Sequence, residues 1–128
     1  MKILVDTCTF LWIALNSPEL SKTAAAAFMD PANERYLSAA SAWEIAIKYA
    51  LGRLPLPEKP DTFIPGIRQA SAIDSLEIDE ISALHAGRLP NLHSDPFDRM
   101  LVAQAIVHGM TILTPDPQIE RYAVRVLW

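Results

Sequence analysis

Short, wholly apolar runs alternate along this chain with longer stretches in which apolar residues recur every third or fourth position. The first run, Lys2 to Val5, is apolar after the lysine and suits a strand buried on both faces. Thr7 is placed to cap a helix through Phe10, Leu11 and Leu15, and Ser21 to Met29 is an Ala-rich helix. Tyr36 to Ser38 reads as a weak second strand that leads into SAASAWEIAIKYALG, a helix stopped at Gly52. Leu54 to Pro60 is Pro-rich and extended, and the helical stretch behind it breaks near Pro65 and Gly66. Ser75 to Ile78 is a third strand and Asp79 to Arg88 a helix. Pro96 to His108 is the most clearly helical segment and ends at Gly109. Met110 to Thr114 forms a fourth strand, a short helix starts near Asp116, and Ala123 to Leu127 is the last strand.

Strands separated by helices imply parallel pairing, so the expected class is α/β: a three-layer α/β/α fold around a central parallel sheet of about five strands. Ligands in such folds bind beyond the carboxyl ends of the strands, near the point where strand order reverses. The residues just after each strand are therefore the informative ones.

Composition narrows the picture. A length of 128 residues fits a single domain over 1–128, and 51% hydrophobic with 20% charged residues is enough to fill a core. The formal charge of -4 argues against a simple nucleic-acid coat, which needs Lys and Arg on phosphates. It leaves a nuclease open, because bound divalent cations reverse the local sign of an acidic site. Cys8 is the sole cysteine, which excludes an internal disulfide and a cysteine zinc cluster and points to a reducing compartment. Asp6 interrupts the apolar N-terminus, no clear cleavage site follows, and no stretch can span a bilayer. The expectation is a soluble cytoplasmic protein with no membrane partner.

Five acids carry the candidate chemistry. Asp6 directly follows the first buried strand, where a carboxylate is costly unless paired; with Thr7 available as the cap, a functional role is the better reading. Glu44 lies three residues after Ser41, so a capping box accounts for it, yet it shares a helix face with Ile47 and Leu51 that points towards the sheet. Asp98 shares a face with Leu101, Val102 and Ala105, and dipole compensation does not explain an acid aimed inward. Asp95 before Pro96, and Asp116 before Pro117, both suit helix N-caps followed by proline; for Asp95 the cap is favoured, and for Asp116 cap and function balance. Carboxylates converging at one sheet edge repel each other unless cations sit among them. Oxygen ligands without a cysteine or histidine pair suit Mg²⁺ or Mn²⁺, in a site able to activate water on a phosphodiester.

Other residues have plainer readings. Lys48, four after Glu44, makes an ordinary helical ion pair, with a phosphate contact from Lys48 or Arg99 as the lesser alternative. His85 and His93 lie outside metal-binding spacing and read as surface or packing residues; Trp12, Trp43 and Trp128 read as core or interface. There is no Gly-rich dinucleotide fingerprint and no phosphate-binding loop ending in Gly-Lys-Ser/Thr. Cys8 occupies the second acid position of an aspartate-phosphatase pair.

Taken in order, LVDTCTFLW, SAASAWEIAIKYALGRLPLP, LPNLHSDPFDRMLVAQA and ILTPDPQIERY resemble the PIN-domain family, in particular VapC-type toxins of bacterial toxin–antitoxin pairs. The resemblance implies Mg²⁺- or Mn²⁺-dependent endonucleolytic cleavage of RNA, a homodimer, and inhibition by a cognate antitoxin. By position it implies that the family's four acids match Asp6, Glu44, Asp98 and Asp116, with Thr114 in the accompanying hydroxyl position. Asp98 rather than Asp95 matches because the acid directly precedes the apolar helix; Pro115 between Thr114 and Asp116 departs from the pattern. Asp6 and Asp98 are then the direct metal ligands, and Glu44 and Asp116 complete the shell or orient water. The rivals are a PIN nuclease in RNA or DNA processing without an antitoxin, a catalytically silent PIN-like nucleic-acid-binding module, and a metal-dependent phosphatase on small molecules.

Overall fold

A computed structural model describes all 128 residues. Its five strands are β1 (Lys2–Val5), β2 (Glu34–Ser38), β3 (Asp74–Leu76), β4 (Thr111–Leu113) and β5 (Arg125–Leu127). All pairings are parallel, in the order β3-β2-β1-β4-β5. Seven helices connect them: α1 (Thr7–Ala14), α2 (Lys22–Met29), α3 (Ala39–Ala50), α4 (Pro60–Ala70), α5 (Glu80–Arg88), α6 (Pro96–His108) and α7 (Pro117–Glu120).

β1 is central and buried, which is why its run lacks polar alternation. Its side chains divide the core in two. Ile3 and Val5 pack with Phe10, Phe28, Ile45, Phe63 and Ile64, so α1 to α4 cover one face. Leu4 packs with Leu89, Leu101, Val102, Ile112 and Ile119, so α5 to α7 cover the other. The expected three-layer α/β/α arrangement is the one observed.

Several local expectations are corrected. α1 is capped by Asp6, whose Oδ1 accepts the Thr9 N–H at 2.8 Å, and not by Thr7. α3 is capped by Ser38, so Ser41 lies inside the helix and the alternative of a capping box for Glu44 drops out. α4 runs unbroken through Pro65 and Gly66. The proline withholds a hydrogen bond only from the carbonyl of Asp61, an exposed residue in the first turn where solvent can satisfy it. β3 ends at Leu76 rather than Ile78, and β5 starts at Arg125 rather than Ala123.

Strand order turns back between β1 and β4. There the chain leaves β1 at Asp6 and β4 at Thr114, and the Asp6 N–H donates to the Leu113 carbonyl at 3.4 Å. Behind this point Gln104, fully buried on α6, accepts from the Ser38 hydroxyl at 2.6 Å and donates to the Glu77 carbonyl at 3.0 Å. This pair ties α6 to the carboxyl end of β2, and every polar atom in it is satisfied.

Candidate active site

An open crevice of about 390 Å³ lies over the switch between β1 and β4. Asp6, Glu44, Asp95, Asp98 and Asp116 all line it, with Thr7, Cys8 and Lys48. The five acids singled out in the sequence therefore meet at one place. A larger cavity of about 480 Å³, lined by Ala105, Met110, Tyr122 and Val124 among others, carries no acid.

Asp6 forms the floor. It is 5% exposed, and Thr114 Oγ1 donates to its Oδ2 at 2.5 Å. Burial pushes its carboxyl above the ordinary carboxylate range, against the opposing pull of the Thr114 and Thr9 hydrogen bonds, with the Asp116 charge adding to the rise. The Thr114 oxygen also accepts the Asp116 N–H at 3.0 Å, which joins the ends of β1 and β4 to the start of α7. Asp116 in turn caps that short helix by accepting the Gln118 N–H at 2.9 Å.

One wall is α3. Glu44 is 7% exposed; its Oε2 lies 2.6 Å from Lys48 Nζ and its Oε1 2.7 Å from the Thr7 hydroxyl. Thr7 has one proton, which goes to the carboxylate, so in the 3.0 Å contact with Ser41 it is Ser41 that donates. The hydrogen bond to Glu44 raises the Lys48 pKa. Trp43, expected in the core or an interface, is 63% exposed and stacks edge-on against Phe97, their ring centres 5.5 Å apart.

The opposite wall is α6. Asp95 is its N-cap, accepting from Phe97 N at 2.9 Å and Asp98 N at 3.2 Å, while also facing the crevice. Asp98 sits above the buried Leu101, Val102 and Ala105, as its spacing predicts. Desolvation first, then the charges of Asp95 and Asp116, raise its pKa from 3.8 to about 6; a hydrogen bond from His93 pulls the other way. His93 is the residue that spacing missed: its Nε2 lies 3.2 Å from Asp98 Oδ2 and its Nδ1 2.7 Å from the Tyr122 hydroxyl. Arg99 is not free to meet a phosphate. Its guanidinium donates to the carbonyls of Pro90, Ala86 and Leu89 and to the Tyr122 hydroxyl, at 2.9 to 3.1 Å.

The donor chemistry of this crevice fits a hard divalent cation: all-oxygen acids, two of them driven towards protonation by burial and mutual repulsion. The side chains are not preassembled for one, since no three acidic, histidine or cysteine groups are arranged to hold a metal ion. Asp6, Glu44 and Asp98 are instead tied to Thr9, Thr114, Thr7, Lys48 and His93.

The class of molecule in view is a parallel α/β sheet with an acid-lined crevice at its switch point. The PIN domain family model matches residues 3–125, and the chain belongs to that family. Ribonuclease VapC16 of Mycobacterium tuberculosis is 43% identical over 56 residues; that match takes in 44% of this chain and 40% of the relative. The fold is shared with solved structures at low identity. VapBC2 from Rickettsia felis, bound to a promoter DNA fragment, aligns with TM-score 0.73 and 13% identity over 99% of this chain and 98% of that one. DNA-bound VapBC from Salmonella typhimurium aligns with TM-score 0.69 and 18% identity over 99% and 97%.

Proposed function

We propose that the chain is a Mg²⁺- or Mn²⁺-dependent endoribonuclease of the VapC kind, held in check by a cognate antitoxin and working as a homodimer in the cytoplasm. The observation that carries this is the meeting of Asp6, Glu44, Asp98 and Asp116 around one crevice at the strand-order switch. Membership of the PIN family and the ribonuclease relative support the reaction, and the relatives' pairing as VapBC supports the antitoxin.

In this reading Asp6 and Asp98 hold the cation, with Glu44 and Asp116 completing its surroundings. A bound cation supplies Lewis acidity towards water and the phosphate oxygens. The chain's own groups do the rest. Thr114 and the Thr9 N–H fix the Asp6 carboxylate from behind, so its orientation is set before substrate arrives. Thr7 and Lys48 hold Glu44 at the other wall, where it can orient a water or receive its proton. Lys48, half-exposed, is the basic residue that lines the crevice, where it can meet a phosphate.

The test is cleavage of a mixed RNA pool by purified protein with Mg²⁺, Mn²⁺ or EDTA, beside Asp98→Asn. Metal-dependent cutting that the variant loses supports the reading; folded wild type that cuts nothing under either metal defeats it. The rival is a silent binding module, in which Asp6, Glu44 and Asp98 keep the hydrogen-bond partners they have here and take no ion. Calorimetric Mn²⁺ titration separates the two, since the module predicts no binding.

A further inference from the structure

His93 is held at both ring nitrogens, and the bonds around it have a direction. Arg99 stands at one end, anchored on three backbone carbonyls and reaching the Tyr122 hydroxyl at 3.1 Å. A guanidinium only donates, so the Tyr122 oxygen accepts. Tyr122 is 4% exposed, and its one proton has a single acceptor, His93 Nδ1 at 2.7 Å. That nitrogen therefore carries a lone pair, and the ring N–H sits on Nε2, aimed at Asp98 Oδ2 at 3.2 Å. The opposite tautomer strands the buried tyrosine proton and sets a ring lone pair against a carboxylate. A doubly protonated ring strands the same proton.

We propose that His93 is a positioning residue: the chain Arg99–Tyr122–His93 holds it as the Nε2–H tautomer, which fixes the Asp98 carboxylate by Oδ2 and leaves Oδ1 for a cation. The consequence for catalysis rests on the nuclease reading; the hydrogen-bond chain does not. Partners of this kind behind a ligating carboxylate are worth about 10–100-fold in metal affinity or activity.

The experiment uses the full chain with three variants, His93→Ala, His93→Gln and Tyr122→Phe. His93→Ala weakens Mn²⁺ binding in calorimetry and lowers kcat on RNA by about 10–100-fold, with KM little changed. His93→Gln, whose amide N–H can meet the same oxygen, recovers much of both. Tyr122→Phe loses less, in the same direction. Unchanged Mn²⁺ affinity and kcat in His93→Ala, with equal falls in melting temperature for the alanine and glutamine variants, overturns the proposal in favour of packing. Imidazole ¹⁵N shifts of the metal-free protein provide the independent readout. Nε2–H in the wild type, lost or mixed in Tyr122→Phe, supports the chain; Nδ1–H overturns it. Should the wild type neither bind Mn²⁺ nor cut RNA, the nuclease reading falls, while the tautomer still decides for or against the hydrogen-bond chain.

Discussion

Glu44 and Asp98 face one crevice from opposite helices, α3 and α6, in contrasting electrostatic company. Glu44 has a cation of its own, Lys48 at 2.6 Å, and a hydroxyl on its other oxygen. Asp98 has a single neutral-capable partner, His93, and two like charges nearby, Asp95 and Asp116, which with desolvation lift its pKa to about 6. The α3 wall is satisfied as it stands, whereas the α6 wall lacks positive charge. On the proposed reading, a divalent cation entering the crevice would gain most on the Asp98 side, where like charges lack a counter-charge.

Removing that side is the sharpest test. Asp98→Asn is expected to lower RNA cleavage by at least ~100-fold. It should also raise the melting temperature of the metal-free protein near neutral pH, by on the order of 1 kcal/mol of stability after allowing for solvent screening. A variant that loses both activity and stability would put Asp98 in a structural role.

The pH dependence of metal-free stability follows with its sign. Asp98 in the fold keeps, between pH 3.8 and about 6, a proton that the unfolded chain has released. Stability from this group is thus present at low pH and declines as pH rises through that window, and the raised Asp6 acts in the same sense. Thermal melts from pH 4 to 7 should show the decline, flattened in Asp98→Asn and reversed by Mn²⁺; a profile identical in wild type and variant breaks the comparison.

Lys48→Met addresses the satisfied wall. Loss of the cation beside Glu44, itself 7% exposed, should cost about tenfold in cleavage and lower the melting temperature, because a buried carboxylate loses its counter-charge. If cleavage falls as far as in Asp98→Asn, the two walls are equivalent and the contrast fails. The smallest effect is assigned to Asp95→Asn. Asparagine still caps α6, so stability should fall by no more than about 1 kcal/mol, and removal of a like charge should bring the Asp98 pKa down. Carboxyl ¹³C titration would read that shift.

Much of this was legible in the sequence, for reasons that differ by element. The unbroken apolar run at β1 and the stripe Asp98, Leu101, Val102, Ala105 report burial directly, so sheet position and the inward acid could be read. The cap of α1 is ambiguous in the sequence because Asp6 and Thr7 both suit an N-cap, and one residue decides which oxygen meets the Thr9 N–H. With Asp6 capping, Thr7 is free to turn to Glu44, a link between α1 and α3 that neither helix announces. His93 was invisible because its partner Tyr122 lies 29 residues on, on the far side of β4. Arg99 follows Asp98, but one residue is about 100° of helix, enough to turn it from the crevice to the carbonyls of Ala86, Leu89 and Pro90. Trp43 is exposed beside buried Glu44 for the same geometric reason.

The hydrogen bond from Thr114 to Asp6 joins residues 108 positions apart. During synthesis, at about 5–20 residues per second, roughly 5–20 s separate the making of the first from the second. Through that interval β1 has no β4 beside it, the Asp6 carboxylate lacks its hydroxyl, and for most of it α6 with Asp98 is unmade. The central strand precedes every other strand of the sheet, yet one of its two edges is paired only once β4 is made. A growing chain that has not yet reached Thr114 therefore carries no assembled crevice, because one corner of it is still missing.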